Sequence, residues 1–360
     1  MKRNFCIIAL IVLLSGTISV HAADSSKIEQ VTNDVAQYVY SIVNPPTVGT
    51  VGGEWAVIGL SKGNYQVESD YFDNYYSNVE QYVKECDGVL HSRKYTEYSR
   101  VVLALTAIGK NPHNVGGYNL LEPLADYDKT VWQGINGPVW ALIALDSGNY
   151  EISQNPMAQT QATREMYLNK ILDSQLTDGG WVLGAKSKEE SSDPDMTAMA
   201  LCALSGYTYR SDVASAVERG INCLSAMQRG NGGFASMGVE NSESCAQVLV
   251  AMCELGISQN DSRFVKNGKT VVDALLEFYK GNGAFLHTAD SGVNQMATEQ
   301  ALYALAALSK AVRGEESLYS GTPVEQNQNA VTPEALVNPK VARMLNNMIN
   351  IEDLLWRINK

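Results

Sequence analysis

A small residue followed by Leu or Met closes an apolar helical run six times along this chain, at Leu60, Leu105, Leu145, Leu204, Met252 and Leu305. The intervals run from 40 to 59 residues, each long enough for two helices and their turns. The clearest copies, 197–204, 245–252 and 298–305, are apolar on nearly every face, so these helices are expected to be buried all round. Many stop at glycine, as at Gly109, Gly148, Gly206 and Gly256. Stretches with one polar side, such as 214–227 and 271–279, lie between them. Six buried and six amphipathic helices predict two concentric layers, an all-α, six-hairpin α/α toroid over residues 23–312. The alternative is an open solenoid of the same repeats. No useful length of strand-like alternation appears.

Several outer helices end in a glycine turn carrying an aromatic ring: Gln175-Leu-Thr-Asp-Gly-Gly-Trp181, Gln228-Arg-Gly-Asn-Gly-Gly-Phe234 and Tyr279-Lys-Gly-Asn-Gly-Ala-Phe285. Glycine pairs allow positive φ and close backbone approach, so each ring is expected to plug a seam between repeats. The first of these turns resembles the tail of the glutamine–tryptophan motif of squalene and hopene cyclases. Ser192-Asp193-Pro194-Asp195-Met196-Thr197-Ala198 resembles the Asp-x-Asp-Asp-Thr-Ala motif of class II terpene cyclases. That resemblance implies the same toroid over roughly 30–310 and assigns the proton-donating acid to Asp195, whereas the family's third acid is Met196 here.

The toroid is similar to three further families. Cobalamin carriers have helices like the one starting at Asp195. Protein prenyltransferase β-subunits share the glycine–aromatic turns but hold zinc with Asp, Cys and His. Here the matching spacing is Glu243-Ser-Cys245, residues 294–297 contain no histidine, and His91, His113 and His287 are not at ligand spacing, so no metal is expected. Complement-type thioester domains need Cys-Gly-Glu-Gln, against Ser244-Cys-Ala-Gln247. The nearest overall likeness is to secreted bacterial prenyltransferase/squalene-oxidase repeat proteins.

Composition adds the setting. Lys2 and Arg3, the apolar stretch 5–14, and the small residues Val20 and Ala22 read as a signal peptide over 1–22, too short for a bilayer core of ~30 Å. The expected location is secreted, extracellular or at the cell surface, with no membrane span. The chain carries 27 basic and 39 acidic residues, net −12. Such a surface repels phosphate and argues against nucleic acid as a partner. Removing the leader leaves five cysteines, an odd number mostly within apolar runs, expected as core residues rather than a disulfide framework. After the toroid the pattern predicts a polar linker, 313–337, and an amphipathic helix, 338–360. Its stripe of Val341, Leu345, Met348, Ile351, Leu355 and Ile358 would pack back on the ring or dock a partner protein.

If the buried helices start at one mouth of the ring, that mouth gathers Glu54, Trp55, Glu97, Tyr98, Trp132, Asn136, Asp193, Asp195, Asn241, Glu243, Gln295 and Glu299. A concavity mixing carboxylates, amides and rings is a candidate ligand site, and crowded carboxylates raise one another's pKa. Asp193-Pro194-Asp195 and Asn241 with Glu243 are also ordinary helix starts, cap plus first-turn acid. The expectation is an exported ligand-binding or protein-interaction toroid whose small-molecule ligand would be a corrinoid or isoprenoid. The alternative is a cyclase-like enzyme with Asp195 as its acid. The sequence names no cofactor.

Overall fold

The computed structural model describes residues 25–321; the expected leader and C-terminal helix lie outside them. Within the described residues twelve α-helices follow in order: α1 Ser25–Ile42, α2 Glu54–Lys62, α3 Tyr71–Glu85, α4 Thr96–Ala107, α5 Tyr127–Thr130, α6 Asn136–Ser147, α7 Arg164–Ser174, α8 Pro194–Leu204, α9 Ser211–Met227, α10 Ser242–Glu254, α11 Val271–Glu277 and α12 Gln295–Arg313. The even-numbered helices are the six apolar runs. Each packs against the next, and α12 returns to pack on α2, so the inner layer closes into a ring. The all-α toroid is the fold, and the open solenoid is excluded.

The odd-numbered helices form the outer layer. Helices α7, α9 and α11 lie against α6, α8 and α10, and α1 lies against α12, so the first helix of the described chain completes the last repeat. The third outer position departs from the expected pattern. There α5 is a single turn flanked by 3-10 turns at Pro123–Ala125 and Val131–Gln133, because Pro112, the Gly116–Gly117 pair and Pro123 interrupt any longer helix. A two-residue hairpin, β1 Ala235–Ser236 with β2 Val239–Glu240, precedes α10.

The glycine–aromatic turns are the seams. Trp181, Phe234 and Phe285 are fully buried. Trp181 N and Phe285 N donate to Thr197 and Thr298 on the following inner helices, at 2.9 and 3.0 Å. Gln175 Nε2 donates to Gly179 O and Ala216 O, and Gln228 Nε2 to Gly232 O and Phe264 O, tying each turn to the next outer segment. Gly179, Gly232 and Gly283 have φ of 94°, 88° and 80°. At Gly232 an added Cβ would lie 2.3 Å from Thr270 O, and at Gly283 2.2 Å from Asp34 O on α1. The last turn therefore joins α11 to α1 and closes the outer layer as well.

The cysteines Cys86, Cys202, Cys223, Cys245 and Cys253 are free thiols, three of them buried. Among the described residues no helix is long and apolar enough to cross a membrane. Helix α12 ends at Gly314 in the left-handed region (φ 67°). In the stretch beyond it, expected as the start of a linker, Glu315 and Glu316 are exposed and 317–321 packs against the ring, with Leu318 and Tyr319 buried.

Candidate functional site

The inner helices all begin at one mouth, and their first turns supply the expected residues. Many of these are committed to structure. Asp193 Oδ1 caps α8 through Asp195 N and Met196 N, both at 3.0 Å, and Ser236 donates to its other oxygen. Asn241 Oδ1 caps α10 through Ser244 N at 2.8 Å. Tyr98 OH binds Leu90 N and Gly88 O and fixes the loop before α4. Trp132 stands outside, 55% exposed, with Arg93 over its ring at 4.9 Å.

The carboxylates do not converge on open space. Glu54 is fully buried and accepts from Gly49 N, from Tyr75 OH at 3.1 Å and from Arg100 Nε at 2.7 Å. Arg100 also holds Glu97. Burial raises Glu54, and the Arg100 charge opposes it. Glu299, also fully buried, accepts from Gly52 N at 2.8 Å and from Gln295 Nε2 at 2.9 Å. Its Oε2 has no partner, and burial pushes it up to about 7. These two acids anchor the glycine-rich loop 47–53 across the edge of the mouth.

On the opposite side Asp195 is pushed up to about 6, chiefly by burial. The nearby Ser244 hydroxyl opposes this, and the Asp193 and Glu243 charges add to it. Asp195 Oδ1 and Ser244 Oγ are both buried, and neither makes a well-formed hydrogen bond. Glu243 Oε2 lies 2.8 Å from His287 Nδ1 and accepts from Ser242 Oγ.

Between these groups is a cavity of ≈ 190 Å³. Its apolar wall is Trp55, Trp140 and Met199; its polar wall is Thr50, Thr96, Arg100, Asn136, Gln247 and Gln300. Trp55 packs on Trp140 at 5.3 Å and on Tyr303 at 5.5 Å, and Tyr303 OH accepts from Gln247 Nε2. Of the residues expected from sequence, Trp55 and Asn136 line this cavity. Thr50 and Thr96 were missed. So were Arg100, Trp140, Met199, Gln247 and Gln300. Each sits four or five positions into its inner helix, one turn below the first, so a helical register carried one turn deeper picks them out. Among the described residues no group of His, Cys, Asp and Glu is arranged to hold a metal ion.

No family profile matches the chain, and no curated protein matches its sequence. Solved structures do match in shape. Unsaturated glucuronyl hydrolase from Bacillus sp. GL1, responsible for the degradation of glycosaminoglycan, is 12% identical with a TM-score of 0.51, covering 82% of this chain and 98% of that one. A polysaccharide lyase is 13% identical with a TM-score of 0.51, covering 80% and 97%. ent-Copalyl diphosphate synthase from Streptomyces platensis is 18% identical with a TM-score of 0.48, and this chain covers 50% of it. The chain thus spans half the length of that synthase. What it shares with the hydrolase and the lyase is the α/α toroid.

Proposed function

We propose that this is an exported binding protein whose inner-helix mouth takes one small, uncharged, hydroxyl-rich ring compound, of the size of a single saccharide unit. The observation that carries this is the cavity lining. Two tryptophans, inclined at 53° to one another, offer an apolar wall beside amides and hydroxyls that donate and accept, and the cation of the lining, Arg100, is neutralised by Glu54 and Glu97. The volume holds about six waters at ~30 Å³ each, far below what a corrinoid would need. Two toroids of similar shape are named for glycosaminoglycan or polysaccharide breakdown, which supports the ligand class.

Titrating the protein with a panel of monosaccharides, followed by tryptophan emission and calorimetry, tests this reading. Saturable binding by at least one sugar is expected. Gln247→Ala or Gln300→Ala should weaken it roughly three- to tenfold, the worth of one hydrogen bond. Failure of every sugar to bind removes the reading.

Asp195 supports a second one. A half-buried carboxyl whose Oδ1 is out of solvent and whose pKa is raised to about 6, chiefly by burial, keeps a protonated fraction in mildly acidic solution, the form that a proton donor requires. The cyclase-like alternative rests on that group, with Met196 in place of a further acid. Incubation with polyprenes should then give cyclised product, and Asp195→Asn should abolish it. Absence of product from the unaltered protein ends this alternative.

A further inference from the structure

The ring has a second mouth, at the C-terminal ends of the inner helices, and the chain fills it with its own residues 317–321. Every inner helix takes part. Lys62 of α2 donates to Ser320 O. Gly321 lies against Thr106 of α4, where an added Cβ would come within 2.4 Å of its methyl group. Gly321 N donates to Ser147 O of α6 at 2.6 Å. Leu318 N donates to Glu254 of α10 at 2.9 Å. Tyr319 reaches inward, 7% exposed, onto a ≈ 150 Å³ gap that it shares with Cys202 of α8 and Glu254, and α12 leads into the segment. The Tyr319 ring meets Trp140 edge-on at 6.1 Å, and Trp140 meets Trp55 at 5.3 Å. Trp140 and Trp55 are the apolar wall of the cavity at the first mouth. A relay of edge-on and tilted aromatic contacts therefore links the segment to that cavity.

We propose that residues 317–321 are a plug that makes the ring blind, and that Tyr319 sets the depth of the cavity at the other mouth. The occupant is thereby restricted to a single ring unit that enters and leaves at the inner-helix starts. The size restriction rests on the binding reading above; the plug does not. With the plug seated, a long polymer or polyprene cannot be threaded through the hollow, and only its terminal unit fits. With Tyr319 removed, Trp140 loses its support, and the cavity and the gap behind it can join.

Two measurements separate the plug from the depth limit. Collisional quenching of tryptophan emission by acrylamide, a small neutral probe, is measured without any sugar. In Tyr319→Ala, folded by circular dichroism, quenching should rise above the level set by the exposed Trp132 as Trp140 becomes reachable, and adding Trp140→Phe should cancel the rise. Tyr319→Leu keeps the segment apolar and reads the same effect in smaller measure should the alanine variant fail to fold. Unchanged quenching in a folded variant overturns the plug. A sugar that binds the unaltered protein should bind no tighter as its disaccharide, and should do so in Tyr319→Ala; tighter disaccharide binding by the unaltered protein overturns the depth limit. Raised quenching with no sugar bound keeps the plug and discards the saccharide reading.

Discussion

Arg100 shows how a single residue can organise the mouth. Its guanidinium bridges Glu54 and Glu97 while its flank lines the cavity, so replacing it leaves Glu54 as an uncompensated charge in a fully buried position. Arg100→Ala should cost about 3–5 kcal/mol in chemical denaturation. Arg100→Lys should recover only part of this, since an ammonium cannot reproduce the forked contact. A second residue-level expectation concerns pH. Asp195, Glu254 and Glu299 are all raised by burial, to about 6, 7 and 7. Through the window from their unfolded values up to pH 7 the folded chain holds more protons than the unfolded one. Stability therefore falls as pH rises through it. The acids lowered by hydrogen-bond partners, Asp178, Asp212, Asp261 and Glu315, act below that window, and His113, lowered by burial, opposes it with one group. The melting temperature should be higher at pH 5 than at pH 7.5, and Glu299→Gln should flatten the difference. A melting temperature that climbs over that range would contradict these assignments. The caps Asp193 and Asn241 were readable because capping is local chemistry. Arg100, Gln247 and Gln300 were not, because mid-helix positions gain meaning only from which neighbour the ring sets opposite them.

Among the elements, the glycine–aromatic turns carry the repeat. Gly232 combines positive φ with the carbonyl of Thr270 in the space a side chain would need, whereas Gly238 at the hairpin tip has positive φ and open surroundings. Gly238→Ala should cost roughly 1 kcal/mol, the strain of the left-handed region alone. Gly232→Ala should cost clearly more, because α11 must shift to admit the methyl group. Equal losses by thermal denaturation would mean that the seam is not tight. These turns were readable from Gly-Gly followed by Trp or Phe. The shortness of α5 was not legible from the repeat, since its symmetry gives six outer helices but not their lengths, and the Pro and Gly residues of 112–123 cut this one to a single turn. The packing of 317–321 was not legible for a different reason. Its Ser and Gly residues look like linker, and only the ring's hollow gives Leu318 and Tyr319 somewhere to go.

At the scale of the molecule, the six apolar runs determined the architecture, and their recurrence every 40 to 59 residues corresponds to the six inner helices. Depth was not legible, because it depends on how far opposing side chains reach across the hollow. Closure has a consequence of its own. Helix α1 completes the repeat of α12, and Gly283 beside Asp34 seals the same joint, so the earliest and latest parts of the described chain are neighbours. A nascent polypeptide leaving a ribosome or a translocation pore cannot make that joint until α12 has emerged. Until then the lateral faces of α1 and α2 are bare. Stalled chains shorter than about 310 residues should therefore be cut readily by protease along their whole length, with protection arriving abruptly rather than hairpin by hairpin.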